Sequence, residues 1–184
     1  TLPYPVFIKP SKAGSSKGVS KAENREMLIA GLEEAAKHDY KILIEETIVG
    51  REIECAVMGY GDTTKASGIG EILAAEEAAF YDFDAKYNDP DGAQLLIPAE
   101  LSENDLEKIR KTAMAAYKTL DATGLARVDF FIDKGSNAVY LNEINTMPGF
   151  TPISMFPKMC DAAGLDFTNL IKMLIDQAIK KSES

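Results

Sequence analysis

The chain has 184 residues, 46% hydrophobic and 27% charged, enough for one domain or two small ones in a globular protein. Its net charge of −9 argues against nucleic acid as a partner, because a phosphate backbone wants a basic surface, yet it leaves room for a local basic pocket around a small phosphate ligand. No apolar run approaches the roughly 20 residues needed to span a bilayer, and the opening "TLPYPVFIKP" is neither a signal nor a transit peptide, so a cytoplasmic protein without membrane association is expected.

In chain order, "PVFIKP" reads as a strand ended by Pro10, followed by a loop of small and basic residues, "SKAGSSKG", and a short returning strand, "VSKA". A helix is predicted from Asn24, a good N-cap, to His38, with Met27, Leu28, Leu32 and Ala35 on its apolar stripe. "KILIEETI" is a strand broken by Val49-Gly50. "EIECAVMGY" and "KASGIGEIL" are strands about a Gly61-Asp62 turn. Residues 75 to 98 look irregular, with "NDPDG" as the clearest turn signal. "SENDLEKIRKTAMAAYKTL" is a helix with Ser102 as N-cap and Asp105 in the capping-box position. "GLARVDFFID" and "NAVYLNEIN" are strands joined by "KGS", and "FTNLIKMLIDQAIKK" is a closing amphipathic helix. The fold class is α+β with hairpins outnumbering βαβ units, divided into a small lobe, 1–48, and a larger one, 49–184. The first residues lack an initiator Met and run straight into a strand, as the interior of a longer protein would.

Cys55 and Cys160 lie far apart without metal spacing and are expected to be reduced, buried small hydrophobes. His38, the only histidine, suits a helix end or solvent. With so little His and Cys, a zinc site or a Cys–His nucleophile is excluded in practice, which leaves carboxylates, Lys, Arg and backbone amides for any chemistry.

The last two strands gather such groups. About a turn centred on Ser136, Asp129 falls opposite Glu143 and Arg127 opposite Asn145. Side chains two apart share a face of a strand, so all four project from one side of the hairpin; Leu141 falls on that face too. Val128, Phe130 and Ile144 are left for packing. Two carboxylates and an amide oxygen in one place are costly without positive charge. Arg127 supplies one charge, and a hard divalent cation such as Mg2+ would supply the rest. A solvated sheet face laced by cross-strand ion pairs is the other reading. In the following "TMPGFT", Gly149 allows backbone N–H groups close approach to an anion. At the other end, "IKPSKAGSSKG" offers lysines, hydroxyls and backbone N–H groups to phosphate, although it is no Walker A sequence and a mobile surface turn has the same composition. "IEETIVGRE" supplies Glu45, the 46–48 backbone and Glu52, fit for an adenine and a ribose, or equally for a charged edge strand.

Taken together, "FIKPSKAGSSKGVS", "ILIEETIVGREIECAV", "EEAAFYDFDAKY", "IPAELS", "GLARVDFFID" and "YLNEINTMPGFTPISMFPKM" resemble the ATP-grasp superfamily and, within it, the D-alanine–D-alanine ligase family, across essentially the whole chain. The resemblance implies ATP and two Mg2+ ions, with Mn2+ as a substitute, and two D-alanines joined through an acyl phosphate for peptidoglycan precursors. It implies Lys9 and Lys86 on ATP phosphates, Ser15 and Ser16 in a loop over the triphosphate, and Glu45, Ile48 and Glu52 on adenine and ribose. Asp129, Glu143 and Asn145 would bind metal, and Arg127 with the Gly149 amide would stabilise the tetrahedral intermediate. Tyr87 would sit on a lid at about 76–94, and Ser154 and Met155 would hold the carboxylate of the second D-alanine. Met155 stands where Leu is common, and Glu46 where Lys often follows the adenine-strand Glu. The family also has an N-terminal domain and an upstream part of the central lobe before the position of Thr1, so this chain is expected to be a fragment, inactive alone, of an enzyme for which a homodimer stays open. Another ATP-grasp carboxylate–amine ligase, a D-lactate or D-serine variant, and a non-catalytic nucleotide-binding module are the rival readings.

Overall fold

A computed structural model describes residues 2–74, 93–151 and 153–183. The chain divides into two compact units, Thr1–Val49 with Ala74–Ala93, and Gly50–Leu73 with Gln94–Ser184.

The first unit is a three-stranded antiparallel sheet under one helix. Strand β1 (Val6–Pro10) lies between β2 (Ser20–Ala22) and β3 (Ile42–Glu46). Alternate apolar residues Val6 and Ile8 point inward, where Ala22 and Ala35 meet them. Helix α1 (Arg25–Ala35) starts because the Asn24 side chain accepts a hydrogen bond from the Met27 N–H at 3.0 Å. It stops at Ala35, short of the expected His38. Ala36 already caps it, and the His38 and Asp39 N–H groups both donate to the Ala35 carbonyl in a closing turn. Its inner face carries Leu28, Gly31, Leu32 and Ala35. Met27, expected on that stripe, is largely exposed, since it lies one helical step, about 100°, from Leu28. A Cβ at Gly31 would come within 2.5 Å of the Ser20 hydroxyl, so a small residue is what lets α1 approach the sheet.

The second unit is a five-stranded sheet ordered β6 (Ala93–Leu96), β5 (Lys65–Ala74), β4 (Gly50–Gly59), β7 (Gly124–Asp133), β8 (Val139–Asn145). Both faces of its centre are covered. Odd-numbered Ile53, Cys55 and Val57 of β4 pack with Ile109, Ala113 and Tyr117 of α2 (Glu103–Thr119). Even-numbered Ala56 and Met58 pack with Met155, Phe156 and Met159 of α3 (Met155–Ala162) and Leu170 of α4 (Phe167–Ser182). This explains why the second half of β4, Cys55–Met58, is apolar without a break where alternation is expected along "EIECAVMGY". Both cysteines are free and buried, as expected, and burial pushes each thiol up to about 12. Tyr117 is fully buried, and its hydroxyl donates to the Gly59 carbonyl at 2.8 Å.

Two expectations change here, and one helix is added. The break expected at Val49-Gly50 falls at residues 47–49, and Gly50 itself begins β4 opposite Asp133, where a Cβ would lie 1.9 Å from the Ile132 carbonyl oxygen. The irregular stretch 75–98 contains β6 at its end; residues 75–92 lie outside the described ones. Helix α3 has weak sequence signals because it is short and carries Pro157, which the first turn of a helix tolerates. Gly68 gives α3 its seat, as a Cβ there would lie 2.0 Å from the Met159 carbonyl oxygen. On α4, Leu170 is buried, while Phe167, Ile171, Ile175 and Ile179 form a stripe of partly exposed apolar residues four apart. Among the described residues no helix is long and apolar enough to cross a membrane.

Candidate active site

The hairpin β7–β8 is antiparallel, with Arg127 opposite Asn145 and Asp129 opposite Glu143. Directly opposed residues share a face, so the four polar side chains project from the same side. The register shifts between Asp129 and Phe130, leaving Asn142 as an extra residue in β8, so Leu141 pairs with Phe130. Leu141 therefore leaves the polar face on which unbroken alternation had placed it. Val128, Phe130 and Ile144 join the core on the α2 side.

The polar face extends across a third strand. Glu54 of β4 is directly opposite Asp129, and Glu52 lies two residues earlier on the same strand. The Arg127 guanidinium donates to both Asp129 oxygens, from Nε at 2.8 Å and from Nη2 at 2.7 Å. Its Nε also lies 3.2 Å from Oε1 of Glu54, which is buried with 5% exposure. Burial works against the charged guanidinium, but the hydrogen bonds to Asp129 and the charges of Asp129, Glu54 and Glu143 more than offset it and push its pKa up. Glu54, Asp129 and Glu143 surround the one guanidinium, with Glu52 farther along the same face, so carboxylates outnumber Arg127 there.

That imbalance and the all-oxygen donor set fit a hard cation such as Mg2+. Among the described residues no three His, Cys, Asp or Glu side chains are grouped so as to hold a metal by themselves. A cation here would draw on Asp129, Glu143 and the Asn145 carboxamide oxygen, with ligand oxygens completing its shell. Asn145 Oδ1 already accepts from the Met147 N–H at 3.1 Å, which fixes the carboxamide and turns the chain into the following loop. In that loop the Ser154 hydroxyl accepts from the Thr151 N–H at 3.0 Å, and a Cβ at Gly149 would come within 2.8 Å of it. Gly149 thus brings exposed backbone beside Ser154, the residue that precedes α3. The Met155 side chain is buried against Gly70, so its polar contribution to any ligand is the backbone N–H of the first turn of α3.

The first unit carries the other expected residues. Lys9 of β1 pairs with Glu45 of β3 at 2.8 Å. In the loop after β1, Ser15 and Ser16 have φ of 54° and 56° and Gly18 has 72°. Two successive serines in the left-handed region are costly for L-residues, and such conformations concentrate at ligand-binding loops. Ile48 is half-buried just beyond β3. Lys86 and Tyr87, with most of the expected 76–94 lid, lie outside the described residues; positions 93 and 94 begin β6.

Glu54 is the member of the face that sequence reasoning passed over. The signal was present, because "REIECAV" places Glu54 at i+2 from Glu52, a carboxylate between the apolar Ile53 and Cys55.

The chain matches the family described as D-ala D-ala ligase C-terminus over residues 1–176. It is 53% identical over 183 residues to a D-alanine–D-alanine ligase of Clostridium acetobutylicum, an alignment covering 100% of this chain and 52% of the relative. The solved structure of the D-alanine–D-alanine ligase from Coxiella burnetii is similar, with a TM-score of 0.83 at 37% identity over 98% of this chain and 46% of that one. The Bacillus anthracis ligase complexed with ATP gives a TM-score of 0.79 at 31% identity over 100% of this chain and 57% of that one. The chain spans about half the length of the curated relatives it matches. Antiparallel sheets with helices on their faces, a polar hairpin on the larger sheet and a match along nearly the whole chain agree in one conclusion: the chain has an ATP-grasp fold and belongs to the D-alanine–D-alanine ligase family, of which it carries the C-terminal part.

Proposed function

We propose that this chain is the nucleotide- and metal-handling part of an ATP-dependent ligase that joins two D-alanines for peptidoglycan precursors in the cytoplasm. The observation that carries the reading is the single face on which Arg127, Asp129, Glu143 and Asn145 stand together. A module that only bound nucleotide would have no use for a buried guanidinium beside the metal oxygens. The crystallised complex of the Bacillus anthracis relative with ATP supports the choice of nucleotide. In this reading residues 1–48 belong to the small lobe and 49–184 to the larger one.

The γ-phosphoryl group of ATP passes to the carboxylate of the first D-alanine, giving an acyl phosphate and ADP. The amine of the second D-alanine attacks the acyl carbon. A proton leaves its nitrogen, the C–O bond to phosphate breaks, and the dipeptide and inorganic phosphate remain. Lys9 and Lys86 neutralise ATP phosphates, and the Ser15–Ser16 loop covers them. Glu45, the Ile48 backbone and Glu52 hold adenine and ribose. Asp129, Glu143 and Asn145 would hold two Mg2+ ions, which supply charge neutralisation at the transferring phosphoryl group when bound. The Arg127 guanidinium and the Gly149 N–H stabilise the oxyanion formed on attack, at about 3 kcal/mol for a well-placed donor. Ser154 and the Met155 N–H orient the carboxylate of the second D-alanine, and the 76–94 segment with Tyr87 excludes water from the acyl phosphate.

The test is a full-length ligase carrying this chain, supplied with ATP, Mg2+ and D-alanine and assayed for D-alanyl-D-alanine, ADP and phosphate. Glu143→Gln should lower turnover by about a hundredfold or more while leaving the unfolding midpoint nearly unchanged. Product with D-serine or D-lactate in place of the second D-alanine would reassign the substrate, and ATP binding without any product would leave a nucleotide-binding module.

A further inference from the structure

The Arg127 guanidinium has two carboxylate neighbours on adjacent strands, and they are not equivalent. Asp129 takes it at short range with both oxygens, at 2.8 and 2.7 Å. Glu54 stands at 3.2 Å from Nε, is more deeply buried, and lies on the central strand of the sheet. On the reading above, Asp129 must offer an oxygen to a divalent cation, and an oxygen donating its lone pairs to a guanidinium is a poorer metal ligand. Arg127 must then loosen its grip on Asp129 without leaving the face, since it is needed at the oxyanion. Both Asp129 oxygens already accept from the guanidinium, so a cation on Asp129 competes with that pairing for the same carboxylate.

We propose that Glu54 is the positioning residue that resolves this conflict: it holds the Arg127 guanidinium in place when Asp129 turns to the metal. Glu54 is suited to it. It is registered opposite Asp129, so both carboxylates reach the guanidinium from neighbouring strands. Its burial in the central strand fixes its backbone, and it keeps the guanidinium charge compensated while Asp129 is occupied. Glu54 touches neither metal nor substrate; it acts through Arg127, as groups behind a metal ligand commonly do, where loss typically costs about 10- to 100-fold in affinity or activity.

The proposal rests on the ligase reading, and its test separates the two. In the full-length ligase carrying this chain, Glu54→Gln keeps the shape and removes the charge. The expected result is a fall in kcat of about tenfold or more, a KM for ATP within about twofold, and Mn2+ binding, followed by its electron spin resonance signal, weakened about tenfold. Glu54→Asp, which keeps the charge but sits one methylene farther away, should recover part of both losses. Should Glu54→Gln fail to fold, Glu54→Asp carries the test, with a several-fold fall in kcat at unchanged KM as the supporting outcome. A variant with wild-type kcat and wild-type Mn2+ affinity overturns the proposal and leaves Glu54 as a buried counter-charge. An active wild-type enzyme with an indifferent Glu54 refutes this proposal alone. An inactive wild-type protein refutes the ligase reading, and the Mn2+ titration still judges Glu54.

Discussion

Glu54 of β4 and Asp129 of β7 stand directly opposite each other, and the Arg127 guanidinium reaches both, at 3.2 and 2.7 Å. Removing the guanidinium takes a close cationic partner from both carboxylates in a mostly buried place. Arg127→Met should therefore destabilise the protein by about 3–5 kcal/mol, read from urea denaturation, because one partner of a mostly buried ion-pair cluster is lost. Adding Glu54→Gln to that background should return part of the loss. A single-variant cost under about 1 kcal/mol would show that water screens the cluster.

Tyr117 links α2 to the end of β4 through its hydrogen bond to the Gly59 carbonyl, and burial pushes its phenol up to about 12. In the unfolded chain the phenol titrates near 10, so its contribution is fully present below about pH 10 and is lost as pH rises towards 12. The buried thiols of Cys55 and Cys160 act in the same sense from about 9 upward. Stability followed by denaturation should thus fall steeply on the alkaline side. Tyr117→Phe should flatten the portion between about 10 and 12 and cost about 1–3 kcal/mol at neutral pH, where the Gly59 carbonyl loses its donor.

Gly68→Ala puts a methyl group where the backbone carbonyl of Met159 lies, 2.0 Å from the ideal Cβ. A backbone cannot step aside as a side-chain tip can. The expected cost is about 3 kcal/mol, at or above the usual upper end for overpacking, with faster amide exchange in α3 than in α2. Similar exchange protection in the two helices would mean that α3 shifts as a body without loss.

The two sides of α4 should respond differently to the same kind of truncation. Leu170→Ala empties a fully buried site and should cost about 2–5 kcal/mol. Ile175→Ala, at a position 54% exposed, should cost less than about 1 kcal/mol. Thermal unfolding of the pair checks this, and equal costs would mean that the exposed stripe is covered in solution.

Much of the larger unit was legible because its elements follow simple periodicities. The β7 span coincides with "GLARVDFFID", and the Asp129–Glu143 and Arg127–Asn145 pairs follow from counting outward from the turn. Counting failed at Leu141, because a bulge has no signature in alternation. It failed at Gly50 because a glycine in a strand looks like a breaker unless the neighbouring carbonyl that excludes a side chain is known. Glu54 escaped notice because burial on both faces of β4 hides which residues share a face with the hairpin; the register between β4 and β7 reveals it. Left-handed φ at Ser15 and Ser16 was invisible, since serine gives no warning of it as glycine does.

The extra residue in β8 separates two properties that a hairpin normally couples. Near the turn, Phe130 pairs with Leu141 and Ile132 with Val139; nearer the polar face, Asp129 pairs with Glu143, one step out of phase with them. The alignment of the polar face is therefore set on its own side of the bulge. In an unbulged hairpin a one-residue deletion in the 134–138 connection would slide Glu143 onto the apolar side of the sheet. Here closing the bulge at Asn142 takes up such a deletion before it reaches Asp129, at the cost of turning Val139, Tyr140 and Leu141 to the opposite face. One residue can be lost from the tip of the hairpin while the four polar side chains stay in line, and the strain falls on the apolar end instead.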